Sequence, residues 1–484
     1  MRQSYYLWAA VERIAPQFVT FGVSIVIARL VGPEAYGLVG MLAIFMALGQ
    51  AFSELGLSAA IIQRKTISDD DLMSVFVVNV IAGTVITLIC CAISPLVASF
   101  YGQKILTPLL CTQSLIFAVS SFGVVQSALV SRNMLFRLNA KVEIVSCLIA
   151  STVGLALAFS NMGVWSLVGM SVTRSIAQVG LLWQFRVWCP RGRFSKSAFE
   201  SIWAYSSRLL YASLFHRLVT NAYSVIIGKV YSPTALGIYT RAFSLQQLPV
   251  DIIGGIVQRV AFPLFSKHQD DKVYLHQTLR KQVRIILAVV ISGLSVLYAI
   301  SGEFIPWLLG ESWSDVIPLL RTLCFAGVFT CIFPLHSNLT KSLGDSKLFF
   351  RIEMVKKVYI LIMLVMVYRL GLQVLAWGMV SVSIFDYLVS SWPSRRYIDY
   401  RFRQHMEDLF PTIFACALPT ALVCQIVWVQ TWNPLLVMVL KSFLILSSFS
   451  LFVWTFRKSY FRDIWEILQI QCIARIRRAA FNRT

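Results

Sequence analysis

Apolar stretches long enough to cross a bilayer follow one another along most of the 484 residues. A helical crossing needs roughly 17–25 mainly apolar residues. On that measure the sequence predicts fourteen spans, at about 12–31, 37–62, 74–100, 106–131, 141–160, 163–186, 202–230, 237–262, 283–309, 315–341, 352–370, 373–393, 410–431 and 434–456. Turn-forming runs separate neighbours: Ser160-Asn161-Met162-Gly163 divides the fifth from the sixth, and Asn433-Pro434 the last two. Beyond Phe456, the residues Ile464, Ile467, Leu468, Ile470 and Ile473 recur at spacings of three and four against Arg475, Arg477 and Arg478. That pattern predicts a basic amphipathic helix, lying on the inner leaflet or in the cytoplasm. The expected fold class is an all-α polytopic membrane protein.

The polar gaps between spans alternate in charge. Crowded gaps hold Arg64/Lys65, Arg132/Arg137/Lys141, Arg186/Arg191/Arg193/Lys196/Arg208, Arg259/Lys267/Lys272/Arg280/Lys281/Arg284, Lys341/Lys347/Arg351/Lys356/Lys357 and Arg395/Arg396/Arg401/Arg403. The intervening gaps hold only Arg29, Lys104, Lys229 and Arg369. Basic loops stay on the cytoplasmic side, so the alternation predicts a multi-pass protein of the bacterial inner membrane with both termini cytoplasmic. The opening Met1-Arg2-Gln3 runs into the first span without a small-residue cleavage site, so no cleaved signal peptide is expected.

Composition narrows the class further. A chain 57% hydrophobic and 13% charged, with mean hydropathy +0.72, is not a soluble globular protein. The net charge of +21 does not point to nucleic acid, because the bases flank apolar spans, where topology and anionic membrane lipids account for them. Of ten cysteines, eight fall in spans, and Cys189 and Cys472 lie on the expected cytoplasmic side. With no Cys-x-x-Cys pair they read as packing residues, and neither a metal nor another cofactor is expected.

A repeat organises the chain. Arg29-Leu30-Val31-Gly32-Pro33-Glu34-Ala35-Tyr36-Gly37-Leu38 returns 200 residues later as Lys229-Val230-Tyr231-Ser232-Pro233-Thr234-Ala235-Leu236-Gly237-Ile238. Glu143 and Trp165 find partners in Glu353 and Trp377, at offsets of 210 and 212. Spans one to six and seven to twelve thus form two parallel copies of one bundle. The expected domains are an N-lobe at 1–190, a C-lobe at 191–400, spans thirteen and fourteen at 401–456 and the cytoplasmic tail at 457–484. The repeated motif itself reads as structural, with proline starting a helix and a base snorkelling to the interface.

Several stretches resemble bacterial Wzx-type polysaccharide repeat-unit flippases. They are Ala28-Arg29-Leu30-Val31-Gly32-Pro33, Ala60-Ile61-Ile62-Gln63-Arg64-Lys65-Thr66-Ile67-Ser68, Ala261-Phe262-Pro263-Leu264-Phe265-Ser266-Lys267 with Gln269-Asp270-Asp271-Lys272, Ile305-Pro306-Trp307-Leu308-Leu309-Gly310-Glu311-Ser312-Trp313, and Ile317-Pro318-Leu319-Leu320-Arg321. The pattern is most similar to the WzxC-like, colanic acid exporter branch of the multidrug/oligosaccharidyl-lipid/polysaccharide (MOP) superfamily. It covers roughly residues 10–400, and spans thirteen and fourteen match in position only. The resemblance implies a 12 + 2 helix fold of two lobes around a central cavity. The implied cargo is an undecaprenyl-diphosphate-linked oligosaccharide, moved to the outer leaflet without covalent chemistry. A coupling proton or sodium ion, and contact with polysaccharide polymerase and chain-length proteins, go with that reading.

Ionisable groups deep in a span are costly and so mark candidate functional positions. At 1.5 Å per residue Arg174 lies about 16 Å from the turn at Gly163, and Arg217 about 14 Å from Arg208. Arg241 and Arg321 fall in the outer thirds of spans eight and ten, and Lys441, in span fourteen, reads as structural. Acids are fewer in this count: Glu54, Asp251 and Asp386. A surplus of arginine suits an anionic cargo, since its planar fork stays charged and matches phosphate oxygens. Arg217 and Arg241 are the leading diphosphate candidates, followed by Arg174 and Arg321. Asp251, Glu54 and Asp386 are candidates for ion coupling or for salt bridges to those arginines. His216 and His336 read as packing histidines rather than proton carriers.

Two other functions compete. A membrane enzyme of the same pathway, a polymerase or ligase, would need a long external loop, and the non-cytoplasmic gaps are short. Asp69-Asp70-Asp71 imitates a metal-binding acid pair but follows Ser68 at a span start, where acids cap a helix. A multidrug exporter for cations would place carboxylates, rather than arginines, in its cavity. No catalytic residue is expected.

Overall fold

The computed structural model describes residues 2–54, 58, 61–62, 67–196, 214–215, 217–425 and 433–456; for 2–14, 54, 253 and 256–260 it gives the backbone alone. The described chain is helical. Helix α1 (Arg2–Glu54) carries the first two expected spans and breaks at Gly32, where φ is 76° and ψ 177°. Glycine takes that conformation without a Cβ penalty, and Pro33 then opens the second segment, where its missing N–H is no loss.

Helix α2 (Asp69–Tyr101) begins with a reciprocal cap. The Asp71 N–H donates to Ser68 Oγ at 3.1 Å, and the Ser68 N–H donates to the Asp71 carboxylate at 3.0 Å. Asp70 accepts from the Arg193 N–H at 2.7 Å, and the Ser195 N–H donates to Ser74 at 2.9 Å. The acidic triplet thus starts a helix and holds the segment that follows the sixth span. Gln126 holds that segment too, gripping both backbone groups of buried Trp188 at 2.6 and 3.1 Å.

Helices α3 (Leu106–Ser121) and α4 (Val124–Arg132) form the fourth span, bent by 50°. Helices α5 (Phe136–Phe159) and α6 (Trp165–Gln184) follow, joined by a turn with left-handed Asn161 and Gly163. Next come α7 (217–230), α8 (Pro233–Lys267), α9 (Lys272–Leu309), α10 (Val316–Thr330), α11 (Phe333–Ser342), α12 (Ser346–Val367), α13 (Leu372–Ile398), α14 (Phe402–Gln425) and α15 (Pro434–Phe456). Every expected span falls on a helix, the second, seventh and thirteenth in their described parts. Among the described residues, eight helices are long and apolar enough to cross a membrane, or nine with the bent pair. The difference from fourteen arises partly because α1 counts once though it holds two spans, and α6, α8 and α12 are not among the eight.

The chain divides into two compact units, Met1–Thr240 and Arg241–Thr484. In the first, α2 packs on α3, α3 on α6, and α5 on α6 and α1. In the second, α9 packs on α10, α10 on α13, and α12 on α13. Spans three to six and nine to twelve therefore pair alike within their own units, and spans four and ten are both broken near their middle. Without a hydrophobic force between helices in lipid, close packing at small residues carries association. A Cβ on Gly83 would meet Phe117 O at 2.5 Å, and one on Gly169 would meet Leu157 at 2.5 Å.

Helices α14 and α15 dock on α9. The thirteenth span starts at Phe402, earlier than the expected 410, because a polar first turn is absorbed by the protein. Asp408, fully buried, receives Arg280 at 2.7 and 3.2 Å, Arg284 at 2.8 Å and the Tyr400 hydroxyl at 2.9 Å. Farther along α15, Lys441 pairs with Glu303 of α9. The tail at 457–484, with its expected amphipathic helix, lies outside the described residues.

Candidate functional site

The predicted site residues fall into both units, and each is met in its own surroundings. Arg174, on α6, pairs with Glu143 of α5 at 3.1 Å, while Gln178 donates to the other Glu143 oxygen at 2.7 Å. Its charge is therefore balanced locally. Arg217, on α7, is half-buried, and its backbone carbonyl accepts from Asn221 at 2.8 Å. Among the described residues Arg217 enters no ion pair. Both lie in the first unit.

Arg241 opens the second unit and is buried, at 8% exposure. Arg321, on α10, donates from Nε to Ser301 Oγ at 2.9 Å and lies 5.5 Å from the Tyr298 ring centre. Asp251, on α8, is exposed and accepts from Gln247 at 3.0 Å, a local bond one turn away. Asp386, on α13, is half-buried with one carboxylate oxygen lacking a hydrogen-bond partner in the described structure. Its electrostatic neighbours are Lys356, Glu353 and Lys357 of α12. Lys356 pairs with Glu353 at 2.8 Å and sits 4.2 Å from the Phe333 ring centre. The side chain of Glu54 and the whole of His216 lie outside the described residues.

The sequence reading counted too few acids. Glu143, Glu303, Glu353 and Asp408 also belong to the helices that cross, each joined to a base, so the arginine surplus is smaller than expected. Glu407 and Asp408 fall just before the expected thirteenth span, and Glu143 and Glu353 stand out in the sequence as repeat partners. The offset of that marker set, 377 − 165 = 212 for the tryptophans, also relates Arg174 to Asp386 (386 − 174 = 212).

His336 and His405 form a second polar centre in the second unit. His336 Nδ1 bonds Ser394 at 2.8 Å, His405 Nδ1 bonds the Tyr387 hydroxyl at 2.9 Å, and the two rings are 5.1 Å apart. Tyr400 stacks on His405 at 3.8 Å, linking this centre to Asp408. His336 is fully buried, and its Nε2 has no hydrogen-bond partner in the described structure.

Apolar helices in both units, with charges set inside them, define a multi-pass membrane protein. The sequence family described as polysaccharide biosynthesis protein matches residues 26–318, over half the chain, and the protein belongs to that family. The lipopolysaccharide biosynthesis protein WzxC of Escherichia coli (strain K12) is 26% identical over 310 residues, which span 63% of this chain and 63% of that one. Among solved structures, the lipid II flippase MurJ in an inward closed conformation covers 91% of this chain and 99% of its own, with TM-score 0.70 and 14% identity. An inward-facing multidrug resistance MATE transporter of the MOP superfamily covers 81% of this chain and 98% of its own, at TM-score 0.59 and 15% identity. The fold is like that of these two solved structures, and the WzxC-like resemblance read from the sequence agrees with the family.

Proposed function

We propose that this protein is the flippase for an undecaprenyl-diphosphate-linked oligosaccharide repeat unit, carrying it across the bacterial inner membrane for exopolysaccharide or lipopolysaccharide synthesis. Both termini lie in the cytoplasm, and the two repeats, 1–190 and 191–400, rock about a central cationic cavity. The observation that carries this reading is Arg217: an arginine inside a span, half-buried, whose charge no described carboxylate cancels. Such a charge is expensive in a membrane unless an anion visits it. Arg241 and Arg321 add guanidinium groups suited to the same diphosphate, whereas Arg174 is already committed to Glu143. The protein is a transporter and not an enzyme. A proton or sodium ion couples through Asp386 or Asp251, and polysaccharide polymerase and chain-length proteins are the expected neighbours.

Lipid-linked sugars extracted from a strain lacking the protein test this, with their leaflet assigned by protection from external reagents and their length by mass spectrometry. A complete repeat unit held on the inner leaflet is expected. A truncated sugar would indicate a transferase, and a complete unit stranded outside a polymerase or ligase. Unchanged sugars with lost drug resistance would indicate an exporter of the MATE kind. Arg217→Glu is expected to lower transport by at least about a hundredfold, the effect of opposing a buried charge-assisted contact, with the protein still inserted in the membrane.

A further inference from the structure

The repeated proline-glycine motif meets itself. Gly37 and Gly237 each stand four residues after a proline, on the same helical face as it. A Cβ added to Gly37 would lie 1.6 Å from the carbonyl oxygen of Pro233; one added to Gly237 would lie 1.9 Å from that of Pro33 and 3.0 Å from the Gly37 nitrogen. One turn on, a Cβ on Gly40 would lie 3.1 Å from Leu236 and 3.6 Å from Thr240 Cγ2. Three pairs therefore share one offset: 233 − 33, 237 − 37 and 240 − 40 all equal 200. Residue i touches the copy of j and j touches the copy of i, which is the signature of a two-fold contact. All of these residues lie in the first unit.

Both segments begin beside it. Pro33 follows the break at Gly32, and Ser232 caps the start of α8 by accepting from the Ala235 N–H at 3.0 Å. Lys229 donates to the Phe100 carbonyl and sits 4.7 Å from the Phe100 ring centre, and a Cβ on Gly228 would lie 3.2 Å from Tyr101. At Gly37 and Gly237 backbone meets backbone, while Gly40 faces the Leu236 and Thr240 side chains. The bond between α9 and α14 is of another kind, a buried carboxylate with two arginines, which is costly to part. A bare backbone contact excludes everything when shut and loses only short-range attraction when it opens. The sparsely charged loops place this crossing on the non-cytoplasmic side.

We infer that the Pro33–Gly37–Gly40 and Pro233–Gly237–Thr240 segments are the two halves of an outer gate, closed in this conformation, that must separate for cargo to leave. The inference rests on the transporter reading above and adds the element that moves. Two glycines are required because any side chain would hold the gate ajar.

Cross-linking and accessibility test it. Gly40→Cys with Thr240→Cys places two sulfurs within disulfide reach. Oxidation should join them and lower transport at least about tenfold, with full recovery on reduction and no effect on either single-cysteine variant. If the pair does not join, or the joined protein transports normally, the gate is refuted. Gly37→Ala and Gly237→Ala overpack the closed state, and overpacking of this size shifts an equilibrium by roughly ten- to a hundredfold. Labelling of the Gly40→Cys site by a membrane-impermeant thiol reagent, read on its own peptide by mass spectrometry, should accelerate accordingly in the Gly237→Ala background. Unchanged labelling in protein that inserts normally would equally refute the gate. If the alanine variant fails to accumulate, the disulfide arm decides. Labelling needs no knowledge of the cargo, so a failure of the flippase reading would appear in the lipid extracts and leave this measurement standing.

Discussion

Asp408 and Asp386 are carboxylates of the same unit, and the protein treats them in opposite ways. Asp408 is fully buried and saturated, with two arginines and a tyrosine hydroxyl on its oxygens. Asp386 is half-buried on α13, and one of its oxygens has no described hydrogen-bond partner. The first arrangement fastens α14 to α9 and tolerates no change of charge. The second is not saturated in this way. In the first unit Arg174, 212 residues before Asp386, is paired across two helices with Glu143. Among embedded charges, satisfaction marks fastening, and incompleteness marks candidates for function.

Removing the saturated carboxylate should have the largest effect. Asp408→Ala leaves Arg280 and Arg284 without their buried counter-ion, a loss of about 3–5 kcal/mol for a buried pair. Thermal unfolding in detergent should show the destabilisation, and protease should cut α14 more readily. A variant as stable as the native chain would mean that Asp408 is not a fastener and would erase the contrast. Asp386→Asn keeps size and removes charge at the incomplete position. Its stability is expected to stay within about 1 kcal/mol, as for a group with little invested in hydrogen bonds. Its transport rate should respond instead to the imposed proton or sodium gradient differently from the native protein. A large stability loss without a change in ion response would make Asp386 another structural acid.

The fold was legible because bilayer thickness and loop charge impose simple periodicities, and helices occur at the expected places. The Ser68–Asp71 cap was legible for the same local reason. Contacts between distant positions were not. Asp408 reads as a loop acid until Arg280 and Arg284, 128 and 124 residues away, are brought against it. Arg174 is a diphosphate candidate in the sequence, where Glu143 stands out only as a repeat marker and its pairing with Arg174 is not visible. The motif at 29–38 was visible as a repeat, but nothing in one copy says that its glycine will meet the proline carbonyl of the other. Arg217 is half-buried within a span, whereas Asp251, expected inside one, is exposed and bonded one turn away to Gln247.

The smallest expected effect concerns Asp345, which caps α12 outside the spans. Its carboxylate accepts from the Tyr397 hydroxyl at 2.6 Å and from the Leu348 N–H at 2.9 Å. These bonds, first the tyrosine and then the backbone, hold its pKa below the usual carboxylate value. A lowered folded-state pKa means that the stabilisation is full above the unfolded value, about pH 4, and is lost as pH falls through the folded one. Asp345→Asn should therefore behave as a cap of nearly equal quality at low pH and a weaker one at neutral pH. The melting temperatures of native and variant protein should differ slightly at neutral pH and converge in acid. Because Asp345 is only half-buried, the gap should stay far below that of the fully buried Asp408→Ala; a gap of comparable size would show that burial does not separate the two kinds of carboxylate in this protein.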